Sequence, residues 1–205
     1  MSEVGLDIKD VLEEIGTSYT ILRPNSGELG TEYLDYEMNR QVTKPFIREY
    51  FLEISVPYDS NLIGGDVIQF SDGRRFLVMN LTPENLFNEA IGKEGVLYKV
   101  NVSGELLRPS GEVWGTSYQR VTAWETIKTP CYALLSEKLF GSDIVTDEEL
   151  GQIGVEASTL YIASEVGVQP LDRYVFASGE YVKIEQIHRR EFDGVDLCHV
   201  SEDTR

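Results

Sequence analysis

Short segments rich in apolar, β-branched and aromatic residues, typical of β-strands, recur along most of this chain. They occur at residues 18–23, 46–56, 66–70, 75–79, 96–102, 132–135, 159–163, 174–176, 181–184 and 196–200, and the first of them alternates between apolar and polar positions. Many short strands at regular spacing, with turn residues between them, are typical of small antiparallel barrels and sandwiches. The pattern therefore predicts a mainly β protein made of two tandem small antiparallel β barrels or sandwiches.

The N-terminal segment has helical spacing instead. Five apolar residues fall largely on one helical face: Leu6, Ile8, Val11, Leu12 and Ile15. Gly16 is a suitable residue to end the helix. A helix of about ten residues is marginal alone, so we expect it to dock on its own domain or on a neighbouring subunit. Minor helical turns are predicted from Thr82-Pro83 to Gly92 and from Asp147.

A polar, tyrosine-bearing segment follows the first strand, at residues 31–43. It has no clear period, so we interpret it as a long loop or a projecting β arm. Tyrosine combines contact area with a polar tip and is enriched at protein interfaces. Tyr33, Tyr36 and Arg40 are therefore predicted to form an inter-subunit contact loop.

The two halves of the chain align weakly with each other. Four pairs of segments correspond: 66–73 with 172–179, 76–77 with 181–182 after a one-residue gap, 94–96 with 193–195, and 51–54 with 159–162. The match favours a duplicated β module, although any two hairpins share glycine, aspartate and aromatic residues. We predict a first module with the helix over 1–107, a linker over 108–128 that contains Arg108-Pro109-Ser110-Gly111, and a second module over 129–205.

Charge narrows the possible functions. The 205 residues include 35 acidic and 18 basic ones, and the formal net charge is −17. Such a chain repels phosphate backbones, so it is a poor candidate for a nucleic-acid reader. No signal peptide and no apolar stretch of membrane-spanning length are found, which predicts no membrane partner and synthesis in a reducing cytoplasm. Cys131 and Cys198 are expected to be ordinary buried thiols.

Known catalytic patterns are missing from the sequence. It contains no GxSxG, P-loop, GxGxxG after a strand, or HExxH. His188 and His199 do not have a metal-ligand spacing with Cys198, and the many carboxylates make a chance pair unspecific. We therefore expect no enzyme activity, no cofactor and no metal.

The first half resembles the head-completion or "stopper" proteins of tailed-phage necks. The resemblance is carried by SYTILRP at 18–24, the polar segment after it, NLIGGDVIQFSDGRRFLVMNLTPE at 61–84 and EGVLYKVNV at 94–102. In that family a small β barrel with a long loop assembles as a ring between the portal adaptor and the tail. The resemblance implies a virion structural protein in a homo-oligomeric ring, with portal, adaptor and tail proteins as partners. DNA would pass through without being bound, repelled by the acidic charge.

The second half departs from a single-barrel stopper, which leaves other functions open. The chain could be another phage tail or tail-terminator protein. It could also be a soluble ligand-binding β module, for which Trp114, Trp124 and Tyr118 are the best aromatic candidates. A third possibility is an intracellular adaptor that binds a basic partner.

Overall fold

The protein is described by a computed structural model, which covers residues 3–38, 51–86, 89–114, 120–136 and 158–203. One helix, α1 (Glu3–Ile15), precedes twelve strands. The strands are β1 (Thr17–Arg23), β2 (Gly27–Met38), β3 (Phe51–Pro57), β4 (Val67–Phe70), β5 (Arg75–Leu86), β6 (Glu89–Lys99), β7 (Val102–Trp114), β8 (Arg120–Ser136), β9 (Ser158–Ala163), β10 (Arg173–Phe176), β11 (Tyr181–Phe192) and β12 (Val195–Glu202). A single 3-10 turn lies at Ser164–Val166. The predicted mainly β fold is confirmed.

The first six strands form a closed antiparallel barrel. Around the barrel the order is β1-β2-β3-β6-β5-β4, and β4 pairs back onto β1. Alternate residues of each strand point inward, so β3 buries Leu52, Ile54 and Val56 while Glu53 is exposed. Closure leaves these strands with no free edge inside the barrel wall.

The last six strands repeat this arrangement. Their order is β7-β8-β9-β12-β11-β10, closed by the pairing of β10 with β7. Each strand of the first barrel therefore has an equivalent six strands later in the chain. The registers agree as well, because the Tyr19–Phe70 pair of the β1–β4 ladder is equivalent to the Gly104–Phe176 pair of the β7–β10 ladder. Each of these two ladders contains four residue pairs at equivalent positions. Shared topology and register are what duplication of one module predicts.

The equivalences correct the sequence alignment in two places. The β4–β5 and β10–β11 ladders match without a gap, so Phe76 is equivalent to Val182 and not to Tyr181. The β2–β3 and β8–β9 ladders place Ile54 level with Leu160, two residues away from the predicted match. Successive side chains of a strand point to opposite faces, so a shift of the alignment by two residues keeps the same positions facing inward.

The predicted linker at 108–128 is wrong for the residues that the structure describes there. Residues 108–114 and 120–128 are paired strands of β7 and β8. The Pro109-Ser110-Gly111 run marks a register shift in the ladder, where Gly111 takes a φ of +142°. Proline and glycine at a bulge resemble linker composition, which explains the error. The chain divides instead into two compact units, one of residues 1–100, 163–165 and 190–195, the other of residues 101–162, 166–189 and 196–205.

The helix predicted after Thr82-Pro83 is also wrong. Residues 82–84 belong to β5 and pair with Glu94, Lys93 and Gly92 of β6. Strand β4 pairs with β5 only as far as Leu77, so this part of β5 has one open edge in the described structure. A proline is tolerated on such an edge because no second ladder needs its missing N–H. The turn predicted from Asp147 lies outside the described residues.

Helix α1 packs on the first barrel, against β2, β3 and β6. Leu12 is its buried anchor, at 7% exposure, and the Gly16 N–H donates a hydrogen bond to the Leu12 carbonyl at 2.9 Å where the helix ends. Val11 and Ile15 lie on the same side but are 51% and 77% exposed. Docking on its own domain is thus confirmed, and part of the apolar face is left in solvent.

Candidate assembly surfaces

An arginine–aspartate clamp holds the loop before β4 in the first barrel. Arg23, at the end of β1, donates from Nε and Nη2 to the two carboxylate oxygens of Asp66, both at 2.8 Å. Nη2 also donates to the Asn61 carbonyl at 2.9 Å, and the Ile63 N–H donates to Asp66 Oδ2 at 3.1 Å. Asp66 is only 1% exposed, so the paired guanidinium is what compensates its buried charge.

The same clamp occurs in the second barrel, atom for atom. Arg108 donates to both oxygens of Asp172, at 2.9 and 2.8 Å, and to the Gly167 carbonyl at 2.8 Å. The Gln169 N–H donates to Asp172 Oδ2 at 2.8 Å. The residue before the aspartate takes a positive φ in both barrels, +86° at Gly65 and +73° at Leu171. The Leu-Arg-Pro run at 22–24 and 107–109 was the sequence signal for this repeat.

A second polar cluster ties β1, β2 and the loop after β3 together around Glu32. Its carboxylate accepts hydrogen bonds from the Tyr19 hydroxyl at 2.9 Å, from the Ser60 hydroxyl, and from the backbone and side-chain N–H groups of Asn61, both at 3.0 Å. Burial alone would raise the pKa of Glu32, but these donors outweigh it and the pKa lies below its ordinary value.

This depressed pKa makes Glu32 a source of acid sensitivity. Its stabilisation is fully present above the ordinary glutamate value of 4.5 and is lost as the pH falls through the lower folded-state pKa. Glu32→Gln should therefore lower the free energy of unfolding by about 1–2 kcal/mol at pH 7 and by much less at strongly acid pH. Urea titrations across the pH range measure this. Glu28→Gln, on the same strand and exposed, is the control and should leave the pH profile unchanged.

The predicted contact residues do not form a loop. Tyr33 and Tyr36 lie in β2, and residues 31–38 form barrel ladders, not an irregular segment. Tyr36 packs against the core, with its ring centroid 5.6 Å from that of Phe70. Tyr33 is 37% exposed on the barrel surface. Arg40 lies outside the described residues.

The long projecting feature of the described structure is instead the hairpin of β7 and β8. Strand β10 pairs with β7 only at residues 104–107, and β9 pairs with β8 only at 133–136. Residues 109–114 and 120–128, which we call the β7–β8 arm, pair with each other as a two-stranded ribbon. The equivalent hairpin of β1 and β2 turns directly after Arg23.

The end of the arm carries exposed apolar side chains. Trp114 is 71% exposed, Val113 50% and Val121 46%. The ladder places Trp114 opposite Arg120, whose guanidinium carbon lies 5.5 Å from the indole centroid, a cation–π distance. An exposed tryptophan beside an arginine is the composition of an interface anchor.

The base of the arm is fixed to the second barrel. Arg173 of β10 lies against the rings of Trp124 and Tyr181, with its guanidinium carbon 3.9 and 4.4 Å from the two centroids. The same guanidinium donates to Asp203 at 2.8 Å. Trp124 therefore packs against Arg173 of the second barrel, and it does not form the predicted aromatic pocket with Trp114. Tyr118 lies outside the described residues.

The described residues of the first unit line an open groove of about 430 Å³, which crosses β2, β3, β5 and β6 and bears four carboxylates, Asp35, Glu37, Glu53 and Glu94. Glu37 stands directly opposite Glu53 in the ladder, an arrangement of like charges that costs stability. A smaller groove, which we call the α1 groove, has about 340 Å³ and is lined by Asp7, Ile8, Val11, Leu12, Asp35 and Ser55.

The two histidines of the second barrel contact each other, and its two cysteines are buried. The rings of His188 and His199 meet edge to face, with centroids 5.0 Å apart. In the described ranges no group of three or more histidine, cysteine or acidic residues is arranged to hold a metal. Cys131 and Cys198 are free thiols and buried, as predicted.

Burial also determines how Cys131 reacts. It raises the pKa of this thiol to about 12, and it raises the pKa of Cys198 as well. Because the thiolate is the nucleophile, we expect both cysteines to resist iodoacetamide at pH 8 in the native protein and to react fully in urea. Intact-mass spectrometry with and without denaturant measures this, and rapid modification of either native thiol would contradict it.

Comparisons with protein-family models, with curated proteins and with solved structures find no match to this chain. No helix in the described part of the chain has the length and apolar character needed to cross a bilayer.

Proposed function

We propose that this chain is a structural protein of a tailed-phage particle, which forms a ring in the neck, or in the tail next to it, through which DNA passes. The observation that carries the proposal is the β7–β8 arm, which presents exposed Val113, Trp114 and Val121 at the end of a ribbon anchored in a rigid barrel. Val113 and Val121 are directly opposite in the ladder and form one exposed apolar pair, with Trp114 on the other face, and exposed apolar groups clustered at one end of an element are typical of contact surfaces.

The acidic groove supports the same proposal. The four carboxylates of β2, β3 and β6 are concentrated on one face of the first barrel. In a ring with this face toward the lumen, the acidic surface would repel the passing duplex and prevent it from sticking. The opposed pair Glu37 and Glu53, which costs stability in the isolated chain, would then have a reason to be kept.

The resemblance of the first half to stopper proteins points to the neck as the place of this protein in the particle. A neck ring of this kind has no reacting substrate, so the chain would act only through its contacts and its charge. The second barrel would contribute the β7–β8 arm to the ring. Partners would be the portal adaptor on one side and tail proteins on the other.

Electron microscopy of the purified protein tests the proposal. We expect closed rings with a central channel, and we expect the protein to be a component of the assembled phage particles. A protein that stays monomeric at high concentration and never joins a particle would refute the proposal. Light scattering on the same preparation gives the mass of the assembly.

A further inference from the structure

The β7–β8 arm is incomplete as a solitary element. Beyond its base at Trp124 the ribbon carries exposed apolar side chains, Val113, Trp114 and Val121, and a two-stranded ribbon is marginally stable by itself. An element of this kind gains most when a second surface covers it.

Charge indicates what covers it. The whole chain has a formal charge of −17, yet residues 109–128 contain two acidic residues, Glu112 and Glu125, and two basic ones, Arg120 and Lys128. Copies of an acidic protein repel each other, so self-association is least costly through a neutral segment. The neutral arm can therefore meet the acidic surface of another copy with less repulsion than the rest of the chain would meet.

The α1 groove has the chemistry that the arm end requires. Its floor is apolar, formed by Ile8, Val11 and Leu12, and its rim carries Asp7 and Asp35. Val11 is half-exposed there. Trp114 and Arg120 share one face of the ribbon because they are directly opposite in the ladder. An indole can cover the apolar floor. The guanidinium beside it lies 3.2 Å from the exposed Glu112 carboxylate, and it can exchange this weak surface partner for the two aspartates of the rim.

We propose that the β7–β8 arm of one copy docks in the α1 groove of a second copy, with Trp114 on the groove floor and Arg120 against Asp7 and Asp35. The arm and the groove are different surfaces, so the contact is heterologous. A heterologous contact repeated around an axis closes into a ring when the rotation allows it. This inference rests on the proposed ring and names the contact that builds it.

Substitutions at the two surfaces test the contact. Trp114→Ala should raise the dissociation constant of the assembly about tenfold or more, because buried tryptophans dominate interface energies. Ile63→Ala is the matched control, since Ile63 is also half-exposed but lies on a different loop, and it should change nothing. Arg120→Asp should weaken assembly, and adding Asp7→Lys to the same chain should restore it. Circular dichroism and thermal unfolding verify that each variant is folded.

Cross-linking between copies tests the geometry. Thr122 lies on the same face of the ribbon as Trp114 and Arg120, because it is opposite Glu112 in the ladder. A preparation with Thr122→Cys is mixed with one carrying Val11→Cys and treated with a short bismaleimide, to which the buried native cysteines are inaccessible. The mixture should give a dimer whose linked peptides join β8 to α1. Thr122→Cys mixed with Ile63→Cys should give none.

The outcomes separate this contact from the ring itself. If the wild type forms rings but Trp114→Ala and Arg120→Asp assemble equally well and no cross-link forms, the contact is refuted and the ring stands. If the wild type is a monomer by light scattering yet the specific cross-link forms, the contact stands and the ring falls. If neither assembly nor cross-link is found, both fall. If Trp114→Ala forms normal rings and fails only to enter particles, the arm binds a different protein and the contact between copies is refuted.

Discussion

Arg108→Met should lower the free energy of unfolding of the second barrel by about 3–5 kcal/mol at pH 7. The substitution keeps most of the side-chain volume and removes both N–H donors that hold Asp172. That aspartate is fully buried, whereas a quarter of the Arg108 side chain is exposed. Removing the arginine thus leaves a carboxylate with no access to water, which is the costly way to break such a pair.

The reverse substitution should be milder. Asp172→Asn leaves a guanidinium that can turn partly to solvent, and an amide that still accepts from the Gln169 N–H. Equal effects of the two substitutions would contradict this expectation.

Urea unfolding gives these free energies. Both tryptophans of the chain lie in β7 and β8, so tryptophan fluorescence reports on the second barrel. Arg23→Met is the matched variant in the first barrel, and its cost should appear in circular dichroism. Lys9→Met removes an exposed pair with Asp59 and should leave the stability almost unchanged.

Gly104→Ala should destabilise the second barrel by about 3 kcal/mol, which is the upper end of the usual cost of adding an atom to a well-packed site. A Cβ at this position would lie 2.0 Å from the Val175 carbonyl oxygen and 2.9 Å from a ring carbon of Tyr174. The oxygen belongs to β10, so it cannot move away without opening the β7–β10 ladder that closes the barrel. Tyr174 is fully buried, with its hydroxyl donating to the Cys131 carbonyl at 2.7 Å, and it cannot yield either.

The effect is measured by urea unfolding and by hydrogen exchange at the amides of β10. Exchange there should accelerate more than in β9, because β10 is the strand that must move. Ser103→Ala, one residue earlier in β7, adds no atom and serves as the control. A variant that unfolds at the wild-type urea concentration would show that the ladder tolerates the methyl group.

Most strands could be predicted because their signal is local. Apolar and polar residues alternate in β1 and β3, a continuous apolar run over 76–79 marks the start of β5, and Asp72-Gly73 marks the tight turn between β4 and β5. The N-terminal helix was likewise readable from its apolar face. Where turn chemistry occurs inside a strand the prediction failed, as at Pro83 and at Pro109, because the same residues serve bulges, edges and linkers.

The candidate contact residues depended on which segment projects, and no local pattern determines that. Tyr33 and Tyr36 look like loop residues until β3 and β1 pair with their strand, which turns Tyr36 toward Phe70. Trp114 looked like part of a linker and is the most exposed apolar anchor of the arm. Position in a ladder decided both cases.

By itself the sequence determined the strand-rich composition, the acidic charge, the helix and the repeated hairpin, since each follows from neighbouring residues. Only the tertiary structure decided that both barrels close in the same strand order and that an Arg–Asp clamp recurs in each. It also decided that the hairpin of the second barrel extends as an arm. The closing ladders and the clamps join residues more than forty positions apart, as Arg23 with Asp66 and Arg108 with Asp172, and such pairings are fixed by the packing of the whole barrel. The arm is a local hairpin, and its projection depends on where the neighbouring strands β9 and β10 stop pairing with it.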